Sequence, residues 1–138
     1  MTTTSKQHGF TLIEVLIAIA IFGILTTMAI PSFNTWQRNA QVRSDARLVK
    51  GALQQARVDA ITRNESITVD FDGNSWDIKD EDDALIRSGE LNSAANLEGA
   101  SDITFNSRGI PASSTSFTVT GSKTFTINIS AAGNISLQ

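Results

Sequence analysis

The chain has 138 residues, a formal net charge of −3, no cysteine and a single histidine, His8. That is enough for one small domain, and it excludes disulfide staples, thiolate metal sites and cysteine nucleophiles. With the one imidazole inside the first nine residues, the remainder has few routes to hydrolytic catalysis, so we expect no enzyme, no metal and no cofactor.

Residues 1–9, MTTTSKQHG, read as a short polar leader whose only formally charged side chain is Lys6. The composition changes at Gly9. Phe10 to Ile30 carries one charged residue, Glu14, and as a helix it would extend about 31 Å, enough to cross a bilayer core of about 30 Å. The basic leader predicts an N-terminus inside and the remainder outside. A carboxylate in such a segment costs about 2.5–3.5 kcal/mol at the helix centre on insertion scales, so it needs either a place near the interface or a cationic partner. Gly9-Phe10 is a small-to-bulky junction. Cutting there would free an α-amine on Phe10, four residues from Glu14 and on the same helix face. The carboxylate would offset both that charge and the positive end of the helix dipole. Formed between axially offset neighbours, the same pair would set the register of an assembly. An ordinary secretory signal is cut after its apolar run; here the junction precedes it.

Pro31 removes a backbone hydrogen bond and is expected to kink the helix near the membrane exit, with Trp36 near headgroup level. From Arg38 to about Thr62 the pattern turns amphipathic. Val42, Ala46, Val49, Leu53, Ala56 and Ala60 recur at spacings of three and four and mark one face. One helix from Thr11 to about Thr62 follows, its first half in lipid and its second half packed on a head. Six bases, Arg38, Arg43, Arg47, Lys50, Arg57 and Arg63, face only Asp45 and Asp59 in this stretch. That basic face reads as a solvated surface, or as a contact for acidic neighbours or anionic headgroups.

After Asn64 the period becomes two. Ile67, Val69 and Phe71, then Asp72-Gly73-Asn74, then Trp76 and Ile78 form a hairpin. Leu85-Ile86 is a short strand and Leu91 to Ala100 looks irregular. Ile103 and Phe105 make a strand, Ala112 to Ser116 a loop, and Phe117/Val119, Phe125/Ile127/Ile129 and Ile135/Leu137 three more strands. The organisation is a leader over 1–9, an apolar helix over 10–30, its amphipathic continuation over 31–63 and a β-rich head over 64–138. The fold class is α+β: a long N-terminal helical spine packed against a small antiparallel β head. From Asp70 onward ten acids stand against four bases, which disfavours non-specific phosphate binding.

Asp70-x-Asp72-x-Asn74 with Glu81 partly mimics a calcium loop. Ser75 replaces its sharp-turn glycine, so a hairpin accounts for it better. The run Asp80-Glu81-Asp82-Asp83 reads as a solvated loop, and Trp76 as core.

Gly9, Phe10, Thr11, Leu12, Ile13, Glu14 and Pro31 together resemble the class III signal of type IV pilins and type II secretion pseudopilins. The resemblance implies cleavage after Gly9 by a prepilin peptidase, N-methylation of Phe10, an assembly role for Glu14 and retention of the apolar segment as membrane anchor and filament core. The stretch Ser44 to Arg47 and Leu53 to Asn64, the strand Ile103-Thr104-Phe105 leading to Arg108-Gly109, and the closing strands hinged at Gly133 resemble the FimT/GspH branch. That branch implies an α-spine with two small β-sheets on its second half. It also implies a structural minor subunit that primes filament assembly, of a pilus or, as pseudopilin H, of a type II secretion system. Implied partners are other pilins or pseudopilins, the peptidase, the bacterial inner membrane and the assembly platform. The implied location is a single pass with the head in the periplasm, then the pilus or pseudopilus. DNA-binding members of the branch carry Gly-Arg-x-Arg near the C-terminus; here Gly133-Asn134-Ile135-Ser136 has neither arginine. DNA is therefore a disfavoured partner, with Arg108 and Lys123 as its remaining candidate contacts.

Overall fold

A capped start and a capped end bound the one helix. In the computed structural model, which describes residues 10–92 and 95–138, helix α1 runs Leu12–Arg63. Thr11 and Glu14 form a reciprocal capping box at its start: Glu14 N–H donates to Thr11 Oγ1 at 3.3 Å and Thr11 N–H to Glu14 Oε2 at 3.5 Å. At the other end Asn64 takes φ +58° and Glu65 N–H donates to Ala60 O at 3.3 Å. That is a Schellman-type cap with asparagine in the left-handed position, and Arg63 stands at the negative end of the dipole. Pro31 lies inside the helix without ending it. The leader, Gly9 included, lies outside the described residues.

The chain divides into two units, one ending at Thr35 and the other Trp36–Gln138. In the first, the described large apolar side chains from Phe10 to Ile24, with Leu25, Ile30 and Phe33, stand exposed. By length and composition this segment can cross a membrane.

The second unit holds the core. Val42, Ala46, Val49, Leu53, Ala56 and Ala60, the stripe read from the spacing, are fully buried, joined by Ala52. Against them pack two antiparallel four-stranded sheets. The strands are β1 (Ile67–Asp72), β2 (Ser75–Lys79), β3 (Leu85–Glu90), β4 (Asn96–Glu98), β5 (Ile103–Phe105), β6 (Thr115–Thr120), β7 (Thr124–Ile129) and β8 (Ile135–Leu137). One sheet has the order β3-β2-β1-β5, the other β4-β6-β7-β8. Ile67, Val69, Ile78 and Phe105 fill the core from the first; Phe117, Val119, Ile127 and Ile129 fill it from the second. The alternation along each strand sends these residues inward. Alanines on the helix let both sheets come close.

Several local expectations change. The hairpin loop is two residues, Gly73-Asn74, closed by the Asp72–Ser75 pair. Only Gly73 takes positive φ, as a type II′ turn requires of its first central residue. Strand β3 runs four residues beyond Ile86. Its Gly89 lies opposite Trp76, and the missing side chain leaves room for the indole. The stretch expected to be irregular contains β4, paired with β6 through Leu97 and Val119. A three-residue edge strand with one apolar residue has no period to read; the β6 backbone recruits it, and the Thr118 and Thr120 hydroxyls donate to its carbonyls. Strand β6 likewise begins at Thr115, inside the stretch expected as loop. In the acidic run, Asp80 Oδ1 accepts from the amides of Asp82 and Ala84, so this side chain builds the turn.

The calcium-like segment is a strand pair. Lys79 Nζ donates to Asp70 Oδ2 at 2.6 Å across β1 and β2. That bond, chiefly, holds the Asp70 carboxyl below its usual 3.8, and it raises Lys79.

Two outcomes follow from this packing. Leu53→Ala removes a fully buried side chain between helix and sheets and should cost about 2–5 kcal/mol in denaturant unfolding of the detergent-solubilised chain. The depressed Asp70 value means the pair stabilises above the unfolded carboxylate value and fades as pH falls through the folded one; the raised Lys79 value means the contribution is also lost as pH rises past lysine titration. Stability measured from pH 2 to 7 should therefore show a shallower acid fall in Asp70→Asn than in the parent, and a small difference because the carboxylate is partly solvated.

Candidate assembly surface and head contacts

At the N-terminus, Phe10, Glu14, Ala18 and Phe22 repeat every four residues and, with Val15 and Ile19, line one exposed face. The structure places Phe10 and Glu14 on this common face. In the unprocessed chain the Phe10 nitrogen is an amide, and Glu14 instead caps the helix through Thr11. This local role was missed in reading the sequence, although Thr11-x-x-Glu14 is the capping-box pattern. Glu14 therefore has a folding role that must be separated from any role in assembly.

The basic face of the head helix divides into two parts. Arg57, expected as a solvated base, is half-buried: its Nε donates to Gly109 O at 3.0 Å. Gly109 and Gly133 have φ of +70° and +79°, and a Cβ on Gly133 would stand 2.5 Å from Gly109 O and 3.1 Å from Arg57 Nε. Arg57 thus bonds the turn after β5, and the turn between β7 and β8, from the other sheet, packs closely against both. Asn106 Oδ1 shapes the first turn by accepting from the amides of Arg108 and Ile110. The Arg108 side chain is exposed beside it.

Arg43 and Arg47 belong to a second place. With Trp36, Asn39, Lys123 and Phe125 they line a cleft of about 570 Å³ between the start of the head helix and the β6–β7 turn. Lys123 is therefore grouped with Arg43 and Arg47, whereas Arg108 precedes Gly109, which packs against Arg57 and Ile61. Ten residues separate Arg47 from Arg57, about 15 Å along the helix. The two sequence-derived DNA candidates are not brought into one patch. Between Arg43 and Arg47 in sequence, Asp45, counted among the charges of the basic stretch, is buried beside the apolar stripe, where Asn92 Nδ2 donates to its Oδ1 at 2.8 Å. Nothing in the helical period distinguishes such an acid from a surface one, because its partner comes from 47 residues away.

Two family descriptions match the chain: "Prokaryotic N-terminal methylation motif" over residues 4–30 and "Type II transport protein GspH" over residues 45–133. Among curated relatives, a type IV major fimbrial protein FimA of Dichelobacter nodosus is 35% identical over 78 residues, 56% of this chain and 48% of that protein. Another FimA, from strain VCS1703A, is 47% identical over 47 residues, 34% of this chain and 29% of that protein. The chain thus spans half or less of the curated relatives it matches. Among solved structures, the Pseudomonas aeruginosa type IV minor pilin FimU superposes with a TM-score of 0.64 at 20% identity, covering 74% of this chain and 90% of that one. The Vibrio cholerae minor pseudopilin EpsH gives 0.59 at 12% identity, covering 71% and 96%. Both share the long N-terminal helix packed against antiparallel sheets.

The contrast between the two arginines is measurable. Arg57→Gln should cost about 1.5–3 kcal/mol by loss of a charged hydrogen bond, with faster amide exchange in residues 106–110. Arg108→Gln should stay within about 0.5 kcal/mol of the parent.

Proposed function

Because this chain belongs to the type II transport protein GspH family, within the class of type IV pilins and pseudopilins, we propose that it is a structural minor subunit that primes assembly of a type IV pilus. It is processed between Gly9 and Phe10, methylated on Phe10, and built into the filament through its apolar helix. The carrying observation is the N-terminal helix itself: a face with Phe10 and Glu14 one turn apart, on a segment whose large apolar side chains have no protein cover. A methylation motif spanning residues 4–30 supports the same reading. Pilins and pseudopilins are structural proteins, and we read this chain likewise. Its partners are then other pilins, the prepilin peptidase and the assembly platform. Its first location is the inner membrane, with the N-terminus cytoplasmic and the head periplasmic. A second reading, pseudopilin H of a secretion system, draws support from the GspH match and the likeness to EpsH; the genes beside its own separate the two.

Once the Phe10 amide becomes an ammonium, Glu14 gains a cation within a turn while keeping its capping bond. Glutamine at position 14 can still cap through its side-chain oxygen but carries no charge, so the two roles can be parted. Mass spectrometry of the protein from its native host should show Phe10 as a methylated N-terminus; an intact Met1 would refute processing. Glu14→Gln and Glu14→Ala should both lower incorporation into filaments severalfold with head stability unchanged. Filaments that take up the glutamine variant at the parent level would assign Glu14 to capping alone.

A further inference from the structure

We propose that the cleft lined by Trp36, Asn39, Arg43, Arg47, Lys123 and Phe125 binds the phosphate headgroup of an anionic membrane lipid while the subunit is anchored. The inference rests on the membrane-anchored reading above and adds to it a defined lipid site on the head. Four observations carry it. First, the cleft measures about 570 Å³, within the 300–1,000 Å³ range of small-ligand sites. Second, it gathers three cations and no acid. Among the described residues none of Arg43, Arg47 and Lys123 has a carboxylate within ion-pair distance, although the head as a whole is acidic. A concentration of like charge without internal compensation is favoured where an anion is supplied from outside. Third, Arg43 and Arg47 are four apart and share a helix face, whereas Lys123 arrives from the β6–β7 turn, so the three converge from two elements. Fourth, Trp36 of the lining is 65% exposed and follows Ile30, the end of the apolar run, by six residues. As helix, six residues are about 9 Å, and Arg43 and Arg47, thirteen and seventeen residues beyond Ile30, follow at about 20 and 26 Å. An amphipathic aromatic ring this close behind a membrane segment is the composition of an interfacial anchor, and the bases follow it in the juxtamembrane stretch.

Arginine can pair with two phosphate oxygens at once and lysine adds a point charge, while Phe125 and the Trp36 ring offer apolar surface to the glycerol and upper acyl carbons. A nucleic acid would be drawn by the same phosphates. The acidic remainder of the head opposes a long polyanion, however, and accepts a single headgroup.

The test uses the full chain in nanodiscs of phosphatidylcholine with a minor fraction of phosphatidylglycerol. Quenching of tryptophan fluorescence is compared for brominated chains on one lipid or the other at equal mole fraction. Trp76 is buried, so the signal reports Trp36. Brominated phosphatidylglycerol should quench several times more effectively than brominated phosphatidylcholine. Arg43→Gln, Arg47→Gln and Lys123→Gln should each reduce that preference about three- to fivefold, and Lys123→Arg should keep it. Lys123 is decisive because it is remote in sequence from the membrane segment. A preference lost with the arginines but intact in Lys123→Gln would reduce the effect to a basic helix and overturn the cleft. Equal quenching by both lipids in the parent chain would also overturn it, as would Lys123-dependent binding of a DNA oligonucleotide without any lipid preference. Failure of the chain to float with neutral phosphatidylcholine vesicles would instead overturn the anchored reading beneath it, a result distinct from loss of headgroup selectivity.

Discussion

One helix must satisfy two solvents. Along α1 the residues before Pro31 are apolar but for Glu14 and a few small polar ones, and the described large apolar side chains among them stand exposed. Beyond Arg38 the apolar residues narrow to a stripe, and that stripe disappears under two sheets. Hydrophobic burial is proportional to the area removed from water, so the second segment is stabilised by the head and the first only by something outside the chain, lipid or neighbouring helices. The proposed role as a filament subunit fits this division: on that reading the exposed segment would anchor the free subunit and be covered by neighbours after assembly.

The head is built to leave the helix's other faces available. Small residues on the stripe, Ala46, Ala52, Ala56 and Ala60, let two sheets approach together, and Arg57 bonds a turn of one sheet to the helix where a turn of the other packs closely. No disulfide is possible, so cohesion rests on apolar packing and on a few polar contacts of this kind. Asp45 with Asn92 is another, holding the segment before β4 to the helix. Asp45 Oδ2 stays buried without a hydrogen-bond partner among the described residues, so this contact adds little net stability and serves to seat the loop on the spine.

Charge is distributed by purpose more than by amount. The acidic run after β2 folds on itself through Asp80, and Asp70 is engaged by Lys79. Of the bases of the head helix, Arg57 is structural, and Arg43 and Arg47 line a cleft with Lys123 of the β6–β7 turn. A net charge of −3 describes none of this. What a charge does here depends on which element stands opposite it.

The long helix, its buried stripe and most of the strands were legible in the amino-acid order, because periods of 3.6 and 2 are properties of one segment at a time. The Phe10–Glu14 spacing was legible for the same reason, and so was the capping box, had Thr11 been read with Glu14. Three things lay beyond reach of any local pattern: strand β4, which exists only because β6 offers its edge; the burial of Asp45 and Arg57, whose partners lie 47 and 52 residues away; and the meeting of Lys123 with Arg43 and Arg47. Local spacing specifies which face of an element is apolar, so the sequence alone determined the spine and its two environments. Which side chains meet across elements depends on how the sheets close over the helix, and only the tertiary structure decided that.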